Sequence, residues 1–469
     1  MVKANLSIFL GVIGLVAAQN TTLEATATLP QGVVKGISAS FPGSNSSVLR
    51  HLVFSNSIIR ILFVAFTTRL FNTPPPAEES EDCLYLNVYA PSGASPNSSL
   101  PVMVWIHGGG LQFGSASLPI YDGSVMAISQ NVVVVTFNYR TNVFGFPNSP
   151  EIPQTEQNLG LLDQRLALAW VKTNVLAFGG DPDKVTIFGE SAGALSVDAL
   201  ITSYPTDAPF RAAIMQSGQD TIRTQTATPG RAGNNTSYLS WNALASGIGC
   251  SNSTSPLACV RASDALTIKS FIEHSGLSFK PVVDDITRVS NPKQKRANHQ
   301  IANVPVLIGS NAQEGTALAY GQSNITAALN TLFPTNKTLQ AEVLAAYPVG
   351  KNGLKTSFQV IAKIYTDLIF QCPASIYAAS SSAASYPTYR YYYNATFSNI
   401  QPFPGLGAYH ASEIPLVFGN LRANSTSQEI ILGASIQKSW ADFAKDPQAG
   451  PGWSKINAQG ESTMLLCSM

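Results

Sequence analysis

The chain has 469 residues, of which 45% are hydrophobic and 12% charged, and its formal net charge is +1. A large core is within its reach and long disordered tracts are not. Near-neutral charge argues against a polyanionic partner, and the short patch Lys293-Gln294-Lys295-Arg296 reads as a solvated loop, with no nucleic-acid role expected.

Residues 1–18 read as a secretory signal peptide. Lys3 supplies the positive start, Leu6 to Val16 the apolar stretch, and Val16-Ala17-Ala18 a small-residue cleavage site. That apolar stretch is short for a bilayer, so no stable membrane span is expected. Sequons at Asn20, Asn45, Asn97, Asn234, Asn235, Asn252, Asn324, Asn336, Asn394 and Asn424 fit passage through the secretory route. The expected product is a secreted, extracellular glycoprotein. Five cysteines in an oxidising compartment leave an odd one. Cys250 and Cys259 flank a short Ser-rich loop and form the natural pair. Cys372 with Cys467 is a second candidate closure, which leaves Cys83 over. No C-x-x-C or His-rich cluster suggests a metal site, and no cofactor is expected.

Strand and helix signals alternate from about residue 84 onward, the pattern of an α/β sheet protein. Leu84 to Tyr89, Pro101 to His107 and Val132 to Tyr139 read as strands, the last so continuously apolar that both its faces should be buried. Leu162, Leu166, Ala169, Trp170 and Leu176 recur near helical spacing. Gly179-Gly180-Asp181-Pro182 is a strong breaker, followed by a short strand over Lys184 to Phe188 and a helix over Ala192 to Leu200. A further buried strand, Val304 to Gly309, precedes Glu314. Without an internal repeat or clear linker, residues 19–469 parse as one catalytic domain.

Between that short strand and helix lies Gly189-Glu190-Ser191-Ala192-Gly193, a G-x-S-x-G nucleophile elbow. A serine on so sharp a turn projects its hydroxyl above the sheet, and side chains two residues to either side would crowd the turn. The hydroxyl needs a base to take its proton and an acid to orient that base. Three histidines follow Ser191. His299 lies in a polar stretch, His274 has no special setting, and His410 sits in the small-residue loop Gly407-Ala408-Tyr409-His410-Ala411. Glu314, just past a buried strand's C-terminal end, is the candidate acid. His107-Gly108-Gly109-Gly110 follows a strand and offers open backbone N–H groups. Gly109 and Gly110, with the N–H of Ala192, can form an oxyanion hole. His107 precedes Ser191 and is read as structural.

From about residue 79 to 450 the chain resembles the type-B carboxylesterase/lipase family, which includes cholinesterases and secreted fungal lipases. The resemblance is carried by Glu81-Asp82-Cys83-Leu84-Tyr85-Leu86-Asn87-Val88, the Trp105 to Gly110 run, Asn138-Tyr139-Arg140, Asn158 to Gln164, Phe178 to Pro182 and the serine elbow. It implies an α/β-hydrolase fold, a large, mostly parallel central sheet flanked by helices. It implies Ser191, Glu314 and His410 as catalytic residues, a structural ion pair between Arg140 and Asp163, and the Cys250–Cys259 bridge. The implied activity is that of a carboxylic ester hydrolase acting on a small-molecule or lipid ester. The alternatives are a catalytically inactive, cholinesterase-like binding protein, or an inactive product of a faulty gene model.

That last alternative arises because the family's proline-rich motif, its lid loop and the cysteine partner of Cys83 have no counterpart here. Ser44 to Phe71 holds instead an apolar run with Arg60 and Arg69 and no cysteine. Part of the stretch is read as translated intron or otherwise a faulty gene model, with the true lid missing, the alternative being a diverged lid. Glu81, whose family partner falls in that region, would then be an uncompensated carboxylate, costly if buried.

Overall fold

The structure is a computed structural model that describes residues 24–29, 32–40, 47–52, 80–219, 238–457 and 462–467. The signal segment, residues 44–46 and 53–71 of the anomalous stretch, and the sequon asparagines Asn20, Asn45, Asn234 and Asn235 lie outside them. Eleven strands among the described residues form one sheet in the order β1-β2-β3-β4-β6-β5-β7-β8-β9-β10-β11. Glu24–Leu29, Gly32–Ser40, Ser47–Leu52 and Leu86–Pro91 are β1 to β4, an antiparallel run that joins β6. The rest of the sheet is parallel: Leu100–Ile106 (β5), Val133–Phe137 (β6), Gly180–Glu190 (β7), Ala212–Gln216 (β8), Val306–Asn311 (β9), Thr388–Asn394 (β10) and Met464–Cys467 (β11). Part of the anomalous stretch is therefore a strand seated between β2 and β4.

The central strands are apolar throughout because helices cover both faces. Along β5, Val102, Val104 and Ile106 join Leu168 and Val171 of α1 (Leu159–Asn174) and Val197 and Leu200 of α2 (Ala192–Ser203) in one core. Met103 and Trp105 turn the opposite way, toward the long helix Ser427–Lys445 that supplies Ile436, Trp440 and Phe443. Period-two alternation thus feeds two cores from one strand. This is the α/β-hydrolase architecture that the resemblance implies.

β7 begins at Gly180, inside the predicted breaker. The breaker still acts, because Leu100 pairs with Gly180 but Val102 with Val185, so Asp181 to Lys184 bulge out of register. Pro182 is tolerated there because it interrupts no ladder bond.

Cys250 and Cys259 are bridged. The expected pairing of Cys372 with Cys467 is not formed, and both are free thiols. Cys467 stands in register with Asn394, four residues beyond Arg390, whereas Cys372 lies at the surface within electrostatic reach of Arg390. The two thiols sit on different elements, Cys372 at the start of the helix Cys372–Ala383 and Cys467 at the end of β11 on the sheet edge, and no disulfide joins them. Cys83 is buried, and Glu81 is exposed, so the feared burial of its charge does not arise.

Candidate active site

The elbow between β7 and α2 has the backbone its sequence demands. Ser191 sits at φ 55° and ψ −117°, a left-handed conformation that side-chain-bearing residues adopt at a cost of about 1–3 kcal/mol. Its N–H donates to Gln216 O across 2.9 Å, and its carbonyl accepts from Leu195 N at 3.0 Å. A Cβ at Gly193 would stand 1.9 Å from Ile106 O, and one at Gly189 2.6 Å from Gly193 C. Only glycine fits at either position.

His410 lies in the loop that leads to the helical turn Ile414–Phe418. Its Nδ1 is 2.7 Å from Glu314 Oε2. Glu314 is fully buried at the start of α3 (Glu314–Leu318), three residues past the end of β9. Its other oxygen, Oε1, accepts from Asn311 N at 2.6 Å. The ring of Phe370, on the π-helical turn Thr366–Gln371, lies 4.6 Å from the imidazole. Among the described residues no hydrogen bond joins Ser191 Oγ to the ring. Such bonds often tighten only when substrate is present.

The free side of the imidazole faces another carboxylate: His410 Nε2 is 3.1 Å from Glu190 Oε1. Glu190 is buried beneath the glycine loop, where a Cβ on Gly108 would come within 2.8 Å of its Oε2. A third buried carboxylate, Glu413, accepts from Gln216 Nε2 at 2.9 Å and Asn311 Nδ2 at 2.6 Å, and Trp440 Nε1 donates to Gln216 Oε1. Asn311 thus ties Glu314 and Glu413 together. Burial pulls the imidazolium down, but the charge of Glu190, the Glu314 hydrogen bond and the charges of Glu314 and Glu413 outweigh it and raise His410 to about 9. Burial pushes Glu190 up to about 8 against the attraction of His410, with Glu413 and Glu314 adding to the rise.

Gly109 and Gly110 have φ of 103° and 64°, and a Cβ at Gly109 would collide with Phe113 O at 2.1 Å. The amide N–H groups of Gly109, Gly110 and Ala192 meet no acceptor among the described residues, and that of Ala192, first in α2, has no partner within its helix. His107 is buried, stacks on Tyr139 with centroids 4.3 Å apart and holds Gly108 O through Nδ1 at 2.9 Å. Burial lowers it to about 4, against the backbone hydrogen bond, so it stays neutral. Arg140 meets Asp163 in a fork: Nε to Oδ2 at 2.8 Å and Nη2 to Oδ1 at 2.7 Å. His274 and His299 lie at the surface, and no hydrogen bond or ion pair among the described residues joins either to this cluster. No group of three or more His, Cys, Asp or Glu among the described residues could hold a metal ion.

A family model described as Carboxylesterase family matches residues 62–467. The chain belongs to the carboxylesterase family. It is 36% identical over 408 residues to the para-nitrobenzyl esterase of Bacillus subtilis, covering 83% of this chain and 80% of that one. It is 31% identical over 428 residues to secreted lipase 5 of Gibberella zeae, covering 85% and 75%. With the chlorogenic acid esterase of Aspergillus niger it shares 35% over 386 residues, covering 80% and 67%. Membership places the chain among the carboxylic ester hydrolases.

In this carboxylesterase family member, sequence reasoning singled out one acidic residue for the site, and the structure assembles three around His410. Glu190 lay in plain view inside the elbow, as the variable residue of the motif. Glu413 stands three residues after His410, and only the long-range bonds to Gln216 and Asn311 reveal its place.

Proposed function

We propose that the protein is a secreted serine ester hydrolase that works through an acyl-enzyme on Ser191. His410 Nε2 takes the Ser191 proton as Oγ attacks the ester carbonyl carbon. The N–H groups of Gly109, Gly110 and Ala192 receive the oxyanion. The tetrahedral intermediate collapses, its C–O bond to the alcohol breaks, and His410 returns the proton to the departing alkoxide. Water then repeats the sequence: His410 takes its proton, hydroxide attacks the acyl carbon, and the carboxylic acid leaves as Ser191 regains its proton. Glu314 fixes the tautomer and holds the ring while it is charged.

The observation that supports this reading most is the 2.7 Å contact between His410 Nδ1 and Glu314 Oε2. It leaves Nε2 as the nitrogen that can work on the serine. The ester class of the substrate, small-molecule or lipid, follows the names of the relatives. Secretion rests on the leader segment and on sequons whose asparagines, Asn97, Asn252, Asn324, Asn336, Asn394 and Asn424, all lie exposed. No helix among the described residues is long and apolar enough to cross a membrane.

The test is hydrolysis of a chain-length series of p-nitrophenyl esters by the wild type and by Ser191→Ala. Activity that vanishes in the variant is expected. Equal activity in both rejects the nucleophile, and inactivity of the well-folded wild type toward every ester favours a binding protein.

A further inference from the structure

We infer that Gln112 is a positioning residue for the oxyanion donors, because its side-chain amide fastens the glycine loop to the extended segment 279–283. The inference rests on the acyl-enzyme reading, which gives the loop its task.

The loop has a strained backbone. Gly109, Gly110, Leu111 and Gly114 all lie at positive φ, of 103°, 64°, 62° and 129°. Leu111 in that region costs about 1–2 kcal/mol by itself. Inside the loop, Gln112 N and Phe113 N both turn to the same acceptor, Gly109 O, at 3.0 and 3.2 Å. A Cβ built on Gly110 meets nothing within 4 Å, so no neighbour braces that residue on its Cβ side. The direction in which the Gly109 and Gly110 N–H groups point therefore depends on how the loop is tied at its ends.

Among the ties that reach it from outside are three made by hydrogen bonds. Tyr139 Oη donates to His107 O at 2.8 Å, and Asn142 N donates to Leu111 O at 2.8 Å. The third is reciprocal: Gln112 Nε2 donates to Phe279 O while Phe279 N donates to Gln112 Oε1 at 3.1 Å. This pair reproduces one rung of an antiparallel ladder with a side-chain amide in place of a strand.

The far end of that rung is buried and hydrogen-bonded on several sides. Phe279 is fully buried. Its neighbours, which lie outside any strand, have their backbone groups taken up by further side-chain amides. Asn148 Nδ2 donates to Lys280 O at 3.0 Å, and Gln154 Nε2 donates to Val283 O at 2.5 Å. Asn158 brackets Val282, its Nδ2 giving to the carbonyl and its Oδ1 accepting from the N–H, both at 2.8 Å. Gln112 is the member of this set that belongs to the glycine loop. It couples the donors to a segment pinned elsewhere by residues 148–158.

The test uses full-length protein carrying Gln112→Ala, Gln112→Met or Gln154→Ala. Methionine keeps the volume of glutamine without its hydrogen bonds. Gln154 holds the same segment but lies outside the glycine loop. The readouts are kcat and KM on p-nitrophenyl butyrate, thermal midpoint, and Ki of an alkyl trifluoromethyl ketone, which adds reversibly to the serine and places an oxyanion in the hole.

Displacement of a catalytic donor by about 1 Å costs on the order of 100-fold. Both Gln112 variants should lose ~10- to 100-fold in kcat with KM within about 3-fold, and Ki should rise by the same factor as kcat/KM falls. Gln154→Ala should keep kcat within about 2-fold while its thermal midpoint falls. Wild-type kcat in Gln112→Met overturns the inference. So does a Ki that stays fixed while kcat falls, or a loss of kcat in Gln154→Ala equal to that in Gln112→Ala. A wild type that the ketone does not inhibit and a fluorophosphonate does not label refutes the acyl-enzyme reading itself, and the inference falls with it.

Discussion

Glu190 Oε1 stands 3.1 Å from Nε2 of His410, on the ring nitrogen opposite the one that Glu314 holds. An imidazole between two buried carboxylates is a stronger base than one beside a single acid, because each negative charge favours the protonated ring. The neutral ring is the form that can accept the Ser191 proton. Activity should therefore rise with pH, and with His410 raised to about 9, kcat/KM should still be climbing between pH 7 and 9. Glu190→Gln removes the largest of the charges that raise His410, and the limb should move toward acid by about one pH unit or more. A pH–rate profile of the two proteins checks this, and coincident limbs would contradict it.

The same pair sets a pH dependence of stability. His410 is raised above its ordinary 6.5, so its contribution is complete below about pH 6.5 and is lost as pH climbs through 9. Glu190 is raised from 4.5 to about 8, so folding favours its protonated form, and stability falls as pH rises across that interval. Both effects act in one direction. The thermal midpoint should be lower at pH 9.5 than at pH 6.5, and the difference should shrink in Glu190→Gln.

Glu314→Gln keeps an acceptor for Asn311 N but can present its amide nitrogen to His410 Nδ1, which favours the wrong tautomer. A comparable exchange in a serine protease triad costs about 10⁴-fold in kcat. A loss on the order of 10³-fold or more is expected here, with little change in thermal midpoint. Steady-state kinetics beside calorimetry separates this from misfolding.

The two loop glycines should respond differently to alanine. Gly109 combines φ of 103° with a Cβ position 2.1 Å from Phe113 O, so Gly109→Ala must move backbone and should lose about 100-fold in kcat together with stability. Gly110 has φ of 64° and open space around its Cβ. Gly110→Ala should fold with a cost of about 1 kcal/mol and a milder kinetic defect.

How much of this was legible in the sequence follows the range of the forces involved. Val133 to Phe137 and the Gly189–Gly193 elbow announce themselves because β-branched runs and glycine constraints act within a few residues. Glu314 and His410 were located through resemblance and setting, although 96 residues separate them. The contacts of Glu190, Glu413 and Gln112 stayed hidden, because carboxylates and amides carry no periodic signal and their partners lie up to 220 residues away. Cysteine spacing misled at Cys372 and Cys467, since chain arithmetic does not register where β11 joins the sheet.

Arg140→Ala should destabilise the fold by leaving the Asp163 carboxylate buried without its fork. Breaking a fully buried pair costs about 3–5 kcal/mol. Arg140 is a third exposed, so solvent softens the loss, and about 2–3 kcal/mol is expected. Denaturant unfolding measures it, and a change under about 0.5 kcal/mol would show that solvent already screens the pair.

The central claim is that Ser191 is the activated nucleophile, and active-site titration tests it most directly. The protein is treated with a fluorophosphonate, the intact mass is measured, and the labelled peptide is mapped alongside Ser191→Ala. One adduct per chain on Ser191, growing in step with the loss of ester hydrolysis and absent from the variant, is the predicted result. An adduct on another residue, or full hydrolysis in Ser191→Ala, would contradict it.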